Sequence, residues 1–159
     1  MRPLWPIEKE ILAIAAGEYP ASAMAFREQI EAAQVVGYQN SGAGFFSDVM
    51  VPEGTLLLDE NSPLDVAYGN VAGIEHGMGF IIFLRDGRLA MIEGYSNAGE
   101  ATAKIDFSKV AFELMLGSER RTLPDGKLWR RPDSVDLRQS SLTRSISAPT
   151  ACNFSSSRS

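Results

Sequence analysis

Two apolar runs set four residues apart dominate the hydrophobic pattern of this chain. Residues 78–84 and 89–95 are rich in β-branched and aromatic side chains and flank Arg85-Asp86-Gly87-Arg88. Asp-Gly between such runs predicts a β-hairpin, because Asp and Gly accept the positive φ of a tight turn. Positions 80–84 are apolar throughout. That is the pattern of a strand covered on both faces, or of one whose second face lies in an interface. The return run alternates, with Leu89, Met91 and Tyr95 on one side and Ala90, Ile92 and Gly94 on the other, and Glu93 falls on the larger-residue side.

Toward the N-terminus the period becomes helical. Pro6 suits a first helical position, and Ile7, Ile11, Leu12, Ile14 and Ala15 follow at helical spacing until Gly17. Pro20 opens a second helix with Ala23, Phe26, Ile30 and Ala33 on one face and Arg27, Glu28 and Glu31 turned away. The pair forms an αα-hairpin with an apolar side to bury. Strand periodicity follows at 35–38, at 45–51 and at 55–58, separated by turn-rich 39–44 and by Pro52-Glu53-Gly54. In the second of these strands Phe46, Asp48 and Met50 share one side, and Phe45, Ser47, Val49 and Val51 the other. Residues 65–74 fit neither period. Gly69, Gly73, Gly77 and Gly79 in quick succession signal bulges or close backbone approach. Phe107, Val110, Ala111, Leu114 and Met115 fit a short helix, with Asp106 as a cap or as the start of a strand.

These elements predict an α+β fold, with two N-terminal helices packed on an antiparallel β-meander of about four to six strands. Residues 1–116 form the expected single domain. Beyond Gly117 the periodicity fades, and nine of the twenty-six residues from 134 to 159 are Ser. Residues 117–159 are therefore expected to be a linker and a disordered Ser/Arg-rich tail, since they lack the apolar surface to offset ordering entropy. The tail resembles a shifted reading frame or a fusion scar more than a domain end.

Composition changes this picture only in its electrostatics. A length of 159 residues, 45% hydrophobic and 22% charged, suits one soluble domain. Residues 1–116 hold seven bases and sixteen acids, a net −9, and the remainder is +4. An acidic body disfavours nucleic acid, whose binding needs clustered Lys and Arg, and favours a basic partner. Arg120-Arg121 and Arg130-Arg131 around Trp129 form a basic-aromatic patch that would meet an acidic surface or serve as a solvated linker. The single cysteine, Cys152, allows no disulfide within one chain, and no stretch has the length of a membrane span. With charged residues where a signal peptide needs its apolar run, the expected location is cytoplasmic.

The segments Ile7-Glu8-Lys9-Glu10-Ile11-Leu12, Glu18-Tyr19-Pro20 and Phe26-Arg27-Glu28-Gln29-Ile30, followed by a strand-rich region with an Asp-Gly hairpin and a later acid, resemble a set of small uncharacterised bacterial α+β proteins. The resemblance spans about residues 6–95, with Ala21 in place of a Gly and Ile30 in place of a Leu. It implies the α+β fold and no activity. Some such proteins are similar to immunity or partner-binding proteins, an association with the fold alone.

Candidate chemistry is sparse. His76, the only histidine, stands beside Glu75 on a Gly-rich stretch. A general acid/base tuned by Glu75 or Asp65 is one interpretation, and a loop histidine held by hydrogen bonds is the other. Glu93 and Tyr95 would line a pocket or meet a partner if buried, and otherwise lie at a solvated strand end. Asp59, Glu60 and Asp65 would hold a hard cation or form a solvated acidic loop. Gly42-Ala43-Gly44 lacks the rest of a phosphate-binding motif, and no serine lies in a nucleophile elbow. Binding roles therefore fall to Glu75, His76, Glu93 and Tyr95. No catalytic residue, metal ligand or cofactor is assigned. The expected function is a non-enzymatic interaction module that binds a protein partner, or a second copy, through a sheet face. An immunity-type protein that neutralises a basic toxin domain is one concrete form. The alternative is a small hydrolase or ligand-binding enzyme using His76 with Glu75.

Overall fold

A computed structural model describes residues 1–117 of the chain. The expectations for the linker and tail, for Cys152 and for the Arg120–Arg131 patch lie outside these residues. Helix α1 spans Pro6–Glu18, and a 3₁₀ turn at Pro20–Ser22 leads into α2, Ala23–Ala32. Six strands follow: β1 Gln34–Asn40, β2 Gly44–Met50, β3 Leu64–Val71, β4 Met78–Arg85, β5 Arg88–Ser96 and β6 Phe112–Leu116. They form one antiparallel sheet in the order β1-β2-β5-β4-β3-β6. The α+β class holds. Strands β3, β4 and β5 are the meander, hairpin β1–β2 joins it along β5, and β6 returns to the outer side of β3.

Helix α1 starts where Pro6 fixes a helical φ, and the Glu8 carboxylate accepts the Trp5 backbone N–H at 2.7 Å, one half of a capping box. The helix runs one residue past Gly17, to Glu18, and the Tyr19 N–H closes on the Ala15 carbonyl before Pro20 prevents continuation. The hairpin tip is as expected: Asp86 and Gly87 have φ of 51° and 70°, the pair of positive angles that a type I′ turn requires.

The core lies between the helices and one sheet face. Ile7, Ile11, Leu12 and Phe26 meet Phe45, Phe80, Ile82 and Ile92, all fully buried. The β2 alternation is as expected, with Phe45, Ser47 and Val49 inward and Asp48 and Met50 exposed. The Phe45 ring lies 4.6 Å from Phe107 and 6.4 Å from Phe80, centroid to centroid. It rests on Gly94, where an added Cβ would stand 2.5 Å from Phe45 Cε1. Gly94→Ala is therefore expected to cost roughly 2 kcal/mol by overpacking, read as a shift of the denaturant midpoint at constant slope. A cost below about 0.5 kcal/mol would mean the ring moves freely.

Four expectations need correction. The segment at 55–58 is not a strand: Leu56 and Leu57 are exposed, only Leu58 is buried, and the backbone bonds instead to side chains of α2 and to the hairpin tip. Residues 39 and 40 belong to β1, which leaves a shorter turn. The short helix after residue 106 is strand β6. Asp106 closes only a local turn, its carbonyl accepting the Lys109 and Val110 N–H groups, and 112–116 then pairs with β3. Five residues with an open sheet edge beside them gain more hydrogen bonds by pairing than by one isolated turn of helix. Finally, a register shift in the β4–β5 pair after Phe83 places Leu89 beside Leu84 and on the buried side, rather than with Met91 and Tyr95.

Candidate functional site

The sheet face turned away from the helices holds two of the four residues expected to bind. The pleat of β5 sends Ile92 into the core and Met91, Glu93 and Tyr95 to the opposite face. Glu93 is flanked in register by Phe46 of β2 and Ile81 of β4, and Met91 by Asp48 and Phe83. Phe46, Ile81, Phe83 and Met91 are half-buried, whereas their neighbours Phe45, Phe80 and Ile82 on the other face are fully buried. Among the described residues no helix covers this strip. Tyr95 lies across Gly79, its cross-strand partner, and a Cβ at that glycine would collide with the phenol. The acids in the central registers of this face are Asp48 and Glu93, with Asp65 and Glu113 on the outer strands.

The other two residues, Glu75 and His76, occupy the β3–β4 connection at one end of the sheet. Positive φ at Gly73 and Gly77 shapes this loop, and Gly77 approaches the Gly69 carbonyl too closely to admit a Cβ. The loop binds the segment after β5. Glu100 accepts the backbone N–H of Glu75 at 2.7 Å and of His76 at 2.9 Å, and its Oε2 stands 3.3 Å from His76 Nδ1. The Glu75 N–H foremost, then the His76 N–H, hold the Glu100 carboxyl below the usual carboxylate range. Asn97 donates its amide N–H to the His76 carbonyl, and the Asn97 backbone N–H meets the Gly77 carbonyl. The His76 side chain is 60% exposed. Its ring partner is Glu100 rather than the adjacent Glu75.

Glu93 and Tyr95 thus share a strand face, and Glu75 and His76 share a loop. Asp65 and Glu60 are drawn elsewhere: Asp65 lies on β3, and Glu60 accepts the Ser22 hydroxyl. Glu100 is the site residue that sequence spacing missed. It lies 24 residues from His76 in the chain, and nothing in its flanks marks it. Also missed is a buried charge, Glu8, which accepts two hydrogen bonds from Arg2 and one from Ser47, while the Arg2 guanidinium stacks 3.4 Å above the Trp5 ring. Its local signal was an acid two residues after a helix-opening proline. Among the described residues no helix is long and apolar enough to cross a membrane. Set beside protein-family models, curated proteins and solved structures, the chain matches none of them.

Proposed function

We propose that this protein is a non-enzymatic interaction module that binds a protein partner through the sheet face opposite its helices. The observation that carries this is the half-buried strip of Phe46, Ile81, Phe83 and Met91 crossing that face, with Asp48 and Glu93 set among it. Apolar area rimmed by polar groups is characteristic of an interaction surface. A net −9 over residues 1–116, with acids at the centre of the face, suits a partner that presents a basic and apolar surface. An immunity-type protein neutralising a basic toxin domain is one form of this, as is any other basic protein partner. A hydrolase using His76 is less favoured, because the ring is mostly exposed and its bonded neighbour is a carboxylate already occupied by two backbone N–H groups.

A photo-crosslinking residue at Phe83 is expected to capture one protein, and the same residue at Met24, exposed on the outer side of α2, is expected to capture none. The purified partner should associate at least about tenfold more slowly at 500 mM than at 50 mM salt, as steered encounters do. Glu93→Lys should lower the association rate without changing the melting temperature. Equal capture at both positions, capture of a second copy of this chain, or an association rate independent of salt would each defeat the proposal.

A further inference from the structure

The loops at the end of the sheet carry an inference independent of the docking face. Three donors of two kinds meet there: an imidazole nitrogen of His76 and carboxylate oxygens of Glu75 and Glu100, all within 4.8 Å of one another. They come from two separate segments, 75–76 and 100, held together by the Glu75 and His76 N–H groups donating to the Glu100 carboxylate and by the Asn97 N–H on the Gly77 carbonyl. The spacing is informative. His76 Nδ1 and Glu100 Oε2 lie 3.3 Å apart, a long hydrogen bond. Neighbouring donors of a tetrahedral ion with bonds of about 2.0–2.1 Å stand about 3.3 Å apart. Asn97 donates its amide N–H to the His76 carbonyl and steadies the loop that carries the ring.

We infer that Glu75, His76 and Glu100 form a binding site for one divalent transition-metal ion of the zinc type. Imidazole with two carboxylates suits zinc, cobalt or nickel over calcium and magnesium, which prefer oxygen alone. The two backbone N–H groups on Glu100 orient its carboxylate, as outer-shell bonds do at known metal sites. Three protein ligands leave the remaining positions to water, so the ion would clip the β3–β4 loop to the segment after β5.

The test is a titration of the full chain, first stripped with chelator, using zinc in calorimetry and cobalt in visible absorption. One ion per chain is expected, with d–d bands in the cobalt form. His76→Ala and Glu100→Gln should each weaken zinc binding by at least about tenfold. His76 is exposed, so the metal-free His76→Ala protein should melt where the wild type does. Calcium should compete only at far higher concentration. The inference fails if the wild type takes up no zinc at 1 mM, if His76→Ala binds it as well as the wild type, or if calcium binds equally well. Should Glu100→Gln unfold the loop, His76→Ala alone decides the matter.

Discussion

Glu8→Ala is expected to cost about 3–5 kcal/mol of folding stability, the range seen when one partner of a buried ion pair is removed. The Glu8 side chain has no exposed surface. Its two oxygens accept one N–H from each terminal nitrogen of the Arg2 guanidinium at 2.7 and 2.8 Å, the Trp5 backbone N–H at 2.7 Å, and the Ser47 hydroxyl. Alanine leaves the Ser47 hydroxyl buried on β2, the first turn of α1 uncapped, and Arg2 against the sheet without its counter-charge. Arg2 also holds the chain's first residues to β1, through paired backbone bonds with Val35 at 2.8 and 3.0 Å. Fraying that bridge would release Trp5 from the exposed Tyr38 ring packed 4.7 Å from it. Thermal unfolding should show a fall of more than about 10 °C. Glu8→Gln, which keeps an acceptor for Trp5 or Ser47 but loses the charge opposite Arg2, should fall between the wild type and Glu8→Ala. A double-mutant cycle with Ser47→Ala should give a coupling of about 1 kcal/mol or more. A total cost below about 1 kcal/mol would mean that water reaches the carboxylate when the N-terminus loosens.

The contrast between Glu8 and the apolar positions shows what sequence patterning carries. Period-two alternation placed Phe45, Ser47 and Val49 on one side of β2 correctly, because a pleated strand allows no other arrangement of those side chains. The Asp86-Gly87 turn was equally legible, since few residue pairs accept two positive φ angles. Strand β6 was not. Phe112 and Leu114 alternate toward the core, but Phe107, Val110, Leu114 and Met115 also fit a helical period, and the choice depends on an unpaired β3 edge some 45 residues earlier in the chain. Leu89 was misplaced because a bulge of one residue reverses the parity of everything beyond it. The candidate site divides the same way. Glu93 and Tyr95 were placed correctly relative to each other by the pleat. The partner of His76 was not legible, because Glu100 reaches it across a loop closure that no local pattern encodes. That the second face of β4 lacks a cover was foreshadowed by its apolar run, and Ile81 and Phe83 are the residues left half-buried there.

Gln29→Met is expected to cost roughly 3 kcal/mol, although the two side chains are close in volume and methionine is the more apolar. Gln29 is fully buried in α2, on the face where the sequence pattern called for apolar residues alone. Its amide ties α2 to two other segments, the 56–58 stretch and the hairpin tip at 87–89. Nε2 donates to the Leu56 carbonyl at 2.6 Å and to the Gly87 carbonyl at 2.9 Å, and Oε1 accepts the Leu89 N–H at 2.9 Å. The three are not equivalent. Gly87 keeps a second partner in the Leu58 N–H, and Leu56 is exposed enough for water to reach it. Leu89 is 2% exposed, so its N–H is left buried and unpaired, which alone costs about 1–3 kcal/mol. The rest comes from releasing the 56–58 segment, which has no strand ladder to retain it and depends on α2 and the hairpin tip. Hydrogen exchange separates this account from a general loss of packing. The Leu89 and Leu58 amides should lose protection in Gln29→Met by more than the amides of β2, whose ladder is intact. Uniform loss across the sheet would show that the amide acts only by filling space. Unchanged protection at Leu89 would show that its N–H finds another acceptor. Gln29→Glu should be worse than Gln29→Met, because it places a carboxylate against two backbone carbonyls in the same buried space.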